Sequence, residues 1–155
     1  MSIQREEHPI SWGEYFMEVA KLTAKRSKDP NTQVGACIVN SENKIIGVGY
    51  NGFVSIPNND NIFPWTKDPD HYDKDKYSYV VHAEANALLN CTASTKGATI
   101  YVTLYPCREC TKLLIQAGIK EIVYLDYRED LATALMVKSA NIKIRSYKRK
   151  EKGAY

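Results

Sequence analysis

His82, Glu84, Cys107 and Cys110 carry the side chains in this chain whose types and spacing can do chemistry together. They stand in His82-Ala83-Glu84 and in Pro106-Cys107-Arg108-Glu109-Cys110. One imidazole and two thiolates hold a Zn²⁺ ion and leave its fourth tetrahedral position open to water. The two thiolate charges also balance the formal charge of the ion. Glu84 follows the histidine by two residues, near enough to exchange protons with water at that open position. Three ligands and one proton carrier are what a hydrolytic zinc site needs.

A structural zinc would use the same residues differently, because closed structural sites take a fourth protein ligand. The cysteines and histidines left over are Cys37, Cys91, His8 and His71. Cys37 lies in Val34-Gly35-Ala36-Cys37-Ile38-Val39, where it reads as a small apolar core residue of a strand. Cys91 ends the helical run after His82, where it packs or faces solvent, and His71 reads as a loop residue. A Glu in a first helical turn can serve only as a dipole partner. A structural zinc leaves both Glu84 and Pro106 unexplained, so the hydrolytic reading is preferred.

These groups depend on elements that the sequence pattern also indicates. Ser11-Trp12-Gly13-Glu14 is a capping box, and Tyr15, Phe16, Val19, Ala20 and Leu22 make the helix after it amphipathic to about residue 27. Asp29-Pro30-Asn31 breaks it. Residues 34–39 and 45–50 are β-branched runs joined by the polar hairpin 40–44. Residues 51–79 are rich in Pro, Asn and Asp without a sustained period, a long loop of the kind used as a lid or an assembly contact. A helix from Val81 places His82 and Glu84 on its first turn. A strand over 98–104, the turn Tyr105-Pro106 and a helix over 107–117 follow, the helix stopped by Gly118. Cys107 and Cys110 share the face of that helix start, where the positive dipole end favours thiolates. Strand 121–125, helix 129–139 and strand 142–147 complete the chain. The alternation predicts an α/β fold, with a mixed sheet of about five strands and helices on both faces. Two helix starts then meet at one sheet edge and build the metal site.

Composition fits this chemistry. The chain has 155 residues, enough for one domain with a proper core and no staples. Of four Cys, two are used by the C-x-x-C pair, which argues against a disulfide framework and for a reducing compartment. Residues 1–7 show no apolar leader, and no apolar run is long enough to span a bilayer. Asn90-Cys91-Thr92 matches a glycosylation sequon, without meaning in a protein that stays inside the cell. The reading is a soluble, cytoplasmic protein. A net charge of +3 is too small to indicate a stable nucleic-acid partner, although it suits an anionic nucleotide. The basic residues Lys148, Arg149, Lys150 and Lys152 read as a solvated tail.

The order H-x-E…P-C-x-x-C is an established signature of the zinc nucleobase deaminases, and this chain matches it residue for residue. In that chemistry Glu84 moves a proton from water to the ring nitrogen of an aminopyrimidine, then protonates the departing amine. Beyond the signature, Arg26-Ser27-Lys28-Asp29-Pro30, Gln33-Val34-Gly35-Ala36, Gly49-Tyr50-Asn51-Gly52, Tyr79-Val80-Val81-His82-Ala83-Glu84 and Gln116-Ala117-Gly118-Ile119 resemble the deoxycytidylate (dCMP) deaminases of the cytidine deaminase-like superfamily. The resemblance runs from Trp12 to Tyr147. It implies the three-layer α/β/α fold of that superfamily, and hydrolysis of dCMP to dUMP and ammonia for thymidylate supply. By motif, His82, Cys107 and Cys110 would hold Zn²⁺ and Glu84 would shuttle the proton.

Asn51 would contact the sugar–phosphate, the alternative being a turn residue at positive φ. Arg26 and Lys28 would serve a phosphate, an assembly contact or only surface solvation. Tyr127 resembles an aromatic residue that closes over the substrate, with a rim or core Tyr as the alternative. Similar enzymes are homohexamers switched on by dCTP with Mg²⁺ and off by dTTP. Here the stretch after Gly52 is this chain's own. It contains no Cys to ligate the second zinc of some relatives, and residues near it could set phosphate number, which leaves dCMP and dCTP both open. Three rivals are a dCTP deaminase, a nucleic-acid editor and a catalytically silent zinc interaction subunit. The editor needs an electrostatic track, and the basic residues here lie at a tail. Intact Glu84 argues against the silent protein.

Overall fold

The computed structural model describes residues 8–148; the N-terminal stretch and the basic residues Arg149, Lys150 and Lys152 lie outside them. Five strands form the main sheet: β1 (Gly35–Val39), β2 (Ile45–Tyr50), β5 (Thr99–Leu104), β6 (Glu121–Asp126) and β7 (Lys143–Ser146). Their order is β2-β1-β5-β6-β7. β1 pairs antiparallel with β2 and β5, whereas β5–β6 and β6–β7 are parallel. The mixed sheet and its order along the chain agree with the sequence pattern.

Alternation along each strand divides the core. Ala36, Ile38, Ile100, Val102 and Ile122 face Ala83 and Ala87 of α3 (Ala83–Leu89), Leu114 of α4 (Arg108–Gln116) and Val137 of α5 (Leu131–Ser139). Cys37, Val39, Tyr101 and Val123 face the opposite way, onto Phe16, Met17 and Ala20 of α1 (Trp12–Ala24). A side-chain period of two thus sends one helix to one face and three to the other. α3 lies very close to β2: a Cβ on Gly49 would collide with backbone of Ala83 and Ala87. Gly118, at φ +80°, takes the left-handed conformation that ends α4 as expected.

Several boundaries differ from the sequence reading, each for a local reason. Ser11 caps α1 by accepting the Glu14 N–H at 3.1 Å, but among the described hydrogen bonds the Glu14 carboxylate does not close the box. α1 stops at Ala24 because the buried Ser27 hydroxyl donates to the Asn51 carbonyl at 2.8 Å, which turns the chain toward β2. His82 and Cys107 stand one residue before their helices as N-caps. α5 begins at Leu131, capped by Asp130.

The long segment after β2 has structure too short to show a period. β3 (Gly52–Phe53) pairs with β4 (Val80–Val81), and α2 spans Asn59–Ile62. Phe53 packs on Trp65 and Phe63, and Phe63 stacks on Tyr79. Beneath them Lys76 reaches Asp29 at 2.9 Å, with side chains 4% and 3% exposed. No helix among the described residues is long and apolar enough to cross a membrane.

Candidate active site

Two helix starts meet beyond the ends of β4 and β5. His82 has extended ψ (157°) at the mouth of α3, and Cys107 (167°) at the mouth of α4. His82 Nδ1 lies 3.5 Å from Cys107 Sγ and 3.4 Å from Cys110 Sγ. The three ligand atoms fall within 4.8 Å of one another. Zinc–nitrogen and zinc–sulfur bonds of ordinary length, opened to a tetrahedral angle, put N and S about 3.6 Å apart. The donor set and its spacing therefore fit zinc.

The charges agree with that. The hydrogen bond from Cys110, with His82 beside it, outweighs burial and draws the Cys107 thiol down to about 3, while the same contact and burial push Cys110 up. Cys107 is thus favoured as a thiolate, the form in which a cysteine binds a metal. Contact with Cys107 raises His82 against the effect of burial. Glu84, on the first turn of α3, is 3% exposed, and burial raises its carboxyl above the usual range. It stands beside His82 and Cys110, which also act on its titration. A buried acid there can take a proton and give it back. Cys37 is fully buried in β1, as its sequence context indicates, with its thiol pushed up to about 12. Cys91 packs at the end of α3, donating to the Ala87 carbonyl, and His71 hydrogen-bonds Asp68 in the loop.

The remaining predicted residues occupy different places. Arg26, Lys28 and Asn51 line a cavity of about 290 Å³, together with Trp65 and Asn86, whereas His82, Glu84 and the two cysteines do not line it. Arg26 lies over the Tyr50 ring, and Lys28 pairs with Asp60. Asn51 does not take positive φ. Its side-chain carbonyl oxygen accepts the Val34 N–H at 2.9 Å and its amide donates to the Thr32 carbonyl at 2.9 Å. Tyr127 is 65% exposed and packs edge-on to Tyr105, next to the C-x-x-C turn.

Sequence reasoning left Asp29 and Lys76 without a role. Asp29 stands inside the R-S-K-D-P block, which was a signal; Lys76, in a polar stretch, gave none. Asp29 accepts from the Asn31 and Thr32 N–H groups and from Lys76. Burial alone would raise its carboxyl, but these hydrogen bonds outweigh it and hold it below the usual range.

Comparison with known proteins agrees with this geometry. Residues 10–126 match the model of the cytidine and deoxycytidylate deaminase zinc-binding region. The chain is 47% identical to the deoxycytidylate deaminase of Mus musculus, covering 95% of this chain and 85% of that protein. It is 52% identical to a probable deoxycytidylate deaminase of Drosophila melanogaster, over 80% of this chain and 63% of that one. Among solved structures, the dCMP deaminase of cyanophage S-TIM5 in complex with dCMP and dUMP superposes with a TM-score of 0.70 at 26% identity, covering 86% of this chain and 94% of that one. The match over residues 10–126 and the 47% identity over 95% of the chain show, in agreement with the sheet and the His–Cys–Cys cluster, that this chain belongs to the cytidine and deoxycytidylate deaminase family.

Proposed function

We propose that this chain is one zinc-dependent deaminase domain that hydrolyses dCMP to dUMP and ammonia. The observation that carries the reading is the buried Glu84 beside a His82–Cys107–Cys110 cluster of zinc-binding shape. The substrate follows from the extent of identity with the deoxycytidylate deaminases. His82, Cys107 and Cys110 would hold the ion, which would supply Lewis acidity and lower the pKa of water there. Glu84 takes a proton from water and donates it to the ring nitrogen as oxygen adds to the amine-bearing carbon. It then takes the proton of the newly added hydroxyl and passes it to the amine, so ammonia leaves and a carbonyl remains. Tyr127, exposed beside Tyr105, covers the substrate.

Arg26, Lys28 and Asn51 serve the sugar–phosphate side of a nucleotide. Their common cavity supports this, and Asn51 acts there by holding the turn in its wall. Because the metal cluster does not line that cavity, it equally suits the phosphates of a dCTP or dTTP effector with Mg²⁺. The chain works in the cytoplasm as a homohexamer. Leu131 and Leu135, one turn apart on α5 and 74% and 67% exposed, support self-association.

The test follows loss of cytosine absorbance with dCMP and with dCTP, each alone and with the other nucleotide, on zinc-replete protein. Turnover of dCMP that rises with dCTP is expected, with light scattering showing six copies of the 17.6 kDa chain. Turnover of dCTP alone moves the substrate. Silence on both, with zinc bound, overturns the enzyme reading.

A further inference from the structure

We infer that Thr133, with Asp130, is a positioning residue for the thiolate ligands, resting on the reading of Cys107 and Cys110 as metal ligands. The turn that presents Cys107 is held at four successive residues. The Tyr105 carbonyl accepts from Arg128 Nε at 2.9 Å, and the Pro106 carbonyl from Thr133 Oγ1 at 3.1 Å. The Cys107 carbonyl accepts from the Thr111 N–H at 2.9 Å, and the Arg108 N–H donates to Asp130 Oδ2 at 3.0 Å. Three of the side chains that hold this turn, those of Arg128, Asp130 and Thr133, come from beyond the end of β6. None of them belongs to the metal cluster.

Thr133 is the centre of the clamp. It and Thr111 are both fully buried, with hydroxyl oxygens 3.0 Å apart. Thr111 Oγ1 also lies 2.8 Å from the Cys107 carbonyl, so two hydroxyl protons face three acceptors. The Cys107 carbonyl already receives a backbone N–H, whereas Pro106 depends on Thr133. Thr111 donates to the Cys107 carbonyl and Thr133 to the Pro106 carbonyl, and the contact between the two buried hydroxyls couples these bonds. Asp130 completes the staple. One carboxylate oxygen takes the Thr133 N–H at 3.1 Å and the other takes the Arg108 N–H. The starts of α4 and α5 are thereby fixed to each other, and with them the thiol spacing at His82. Groups that orient metal ligands from outside set affinity in this way.

The test uses chelator competition on the zinc-loaded protein, with zinc content measured directly. Thr133→Val keeps the volume and removes the hydroxyl bond to the Pro106 carbonyl; its zinc affinity is expected to fall about 10–100-fold. Thr133→Ser is expected to restore it. Thr103→Val removes another buried hydroxyl, one that accepts the Gly35 N–H in the sheet, and is expected to leave zinc affinity near wild type. Absorption of the cobalt-substituted protein reports the thiolates themselves, and is expected to shift in Thr133→Val but not in Thr103→Val. Should Thr133→Val fail to fold, Asp130→Asn decides. It keeps a cap for α5 while replacing the carboxylate at Arg108, and a smaller loss in the same direction is expected. Wild-type affinity in Thr133→Val, in Asp130→Asn where that variant decides, or an equal loss in Thr103→Val, overturns the inference. Wild-type protein that binds no zinc overturns the metal reading beneath it.

Discussion

Glu84 is buried where a carboxylate is costly, and burial raises its carboxyl above the usual range, which suits a group that accepts a proton and returns it. Replacing it with Gln keeps the volume and removes the titratable group. Glu84→Gln is expected to lower turnover by about 10²–10⁴-fold or more while zinc content stays at wild type. Ammonia release and metal analysis on the same sample check this; zinc lost in step with activity would instead make Glu84 a structural member of the site. The residue type and its offset from His82 were legible in the sequence. Its burial was not, because burial depends on how α3 sits against the sheet.

The elements around the site are held by contacts that can be broken one at a time. Asp29 and Lys76 join the turn after α1 to the loop before β4, and both are almost fully buried. Removing one partner leaves an uncompensated charge, so Lys76→Met is expected to cost about 3–5 kcal/mol near neutrality in urea unfolding. The sign of the pH dependence follows from the depressed Asp29 carboxyl. Its contribution is present above the unfolded value of about pH 4 and is lost as pH falls through the lower folded value. The wild type and Lys76→Met are therefore expected to converge in stability below about pH 4; a constant gap would argue against the pairing. Gly49 is a second such point. Gly49→Ala drives a Cβ into the α3 backbone and is expected to cost about 1–3 kcal/mol, with weaker zinc retention because His82 caps that helix.

At the scale of the molecule, a metal held by His82, Cys107 and Cys110 would join the two helix starts that the chain brings together from positions 82 and 107–110. A ligand that binds the folded chain stabilises it by mass action, about 4 kcal/mol at a thousand times its dissociation constant. Stripping the zinc is expected to lower the melting temperature, and adding it back to restore it. Calorimetry with and without chelator measures this, and an unchanged melting temperature would place the site outside the cooperative unit. The Thr133–Pro106 contact predicts that α5 loosens with α4 in the stripped protein, visible as faster amide exchange in both helices.

The sequence by itself determined which side chains are candidates for metal ligand and proton carrier, and the order of strands and helices along the chain. These are properties of side-chain chemistry and of local pattern within one element, as in the apolar runs over residues 35–39 and 99–104. The tertiary structure decided which atoms meet. It turned His82 Nδ1 toward two thiols, set Lys76 on Asp29 across 47 residues and carried Thr133 to the Pro106 carbonyl. It also put Arg26, Lys28 and Asn51 in one cavity and Glu84 outside its wall. Such meetings have no period in the sequence, since they depend on where separate elements cross once the sheet is assembled. The long segment after β2 was opaque for a related reason: its two-residue strands and four-residue helix are fixed by aromatic packing and one buried ion pair, not by any local repeat.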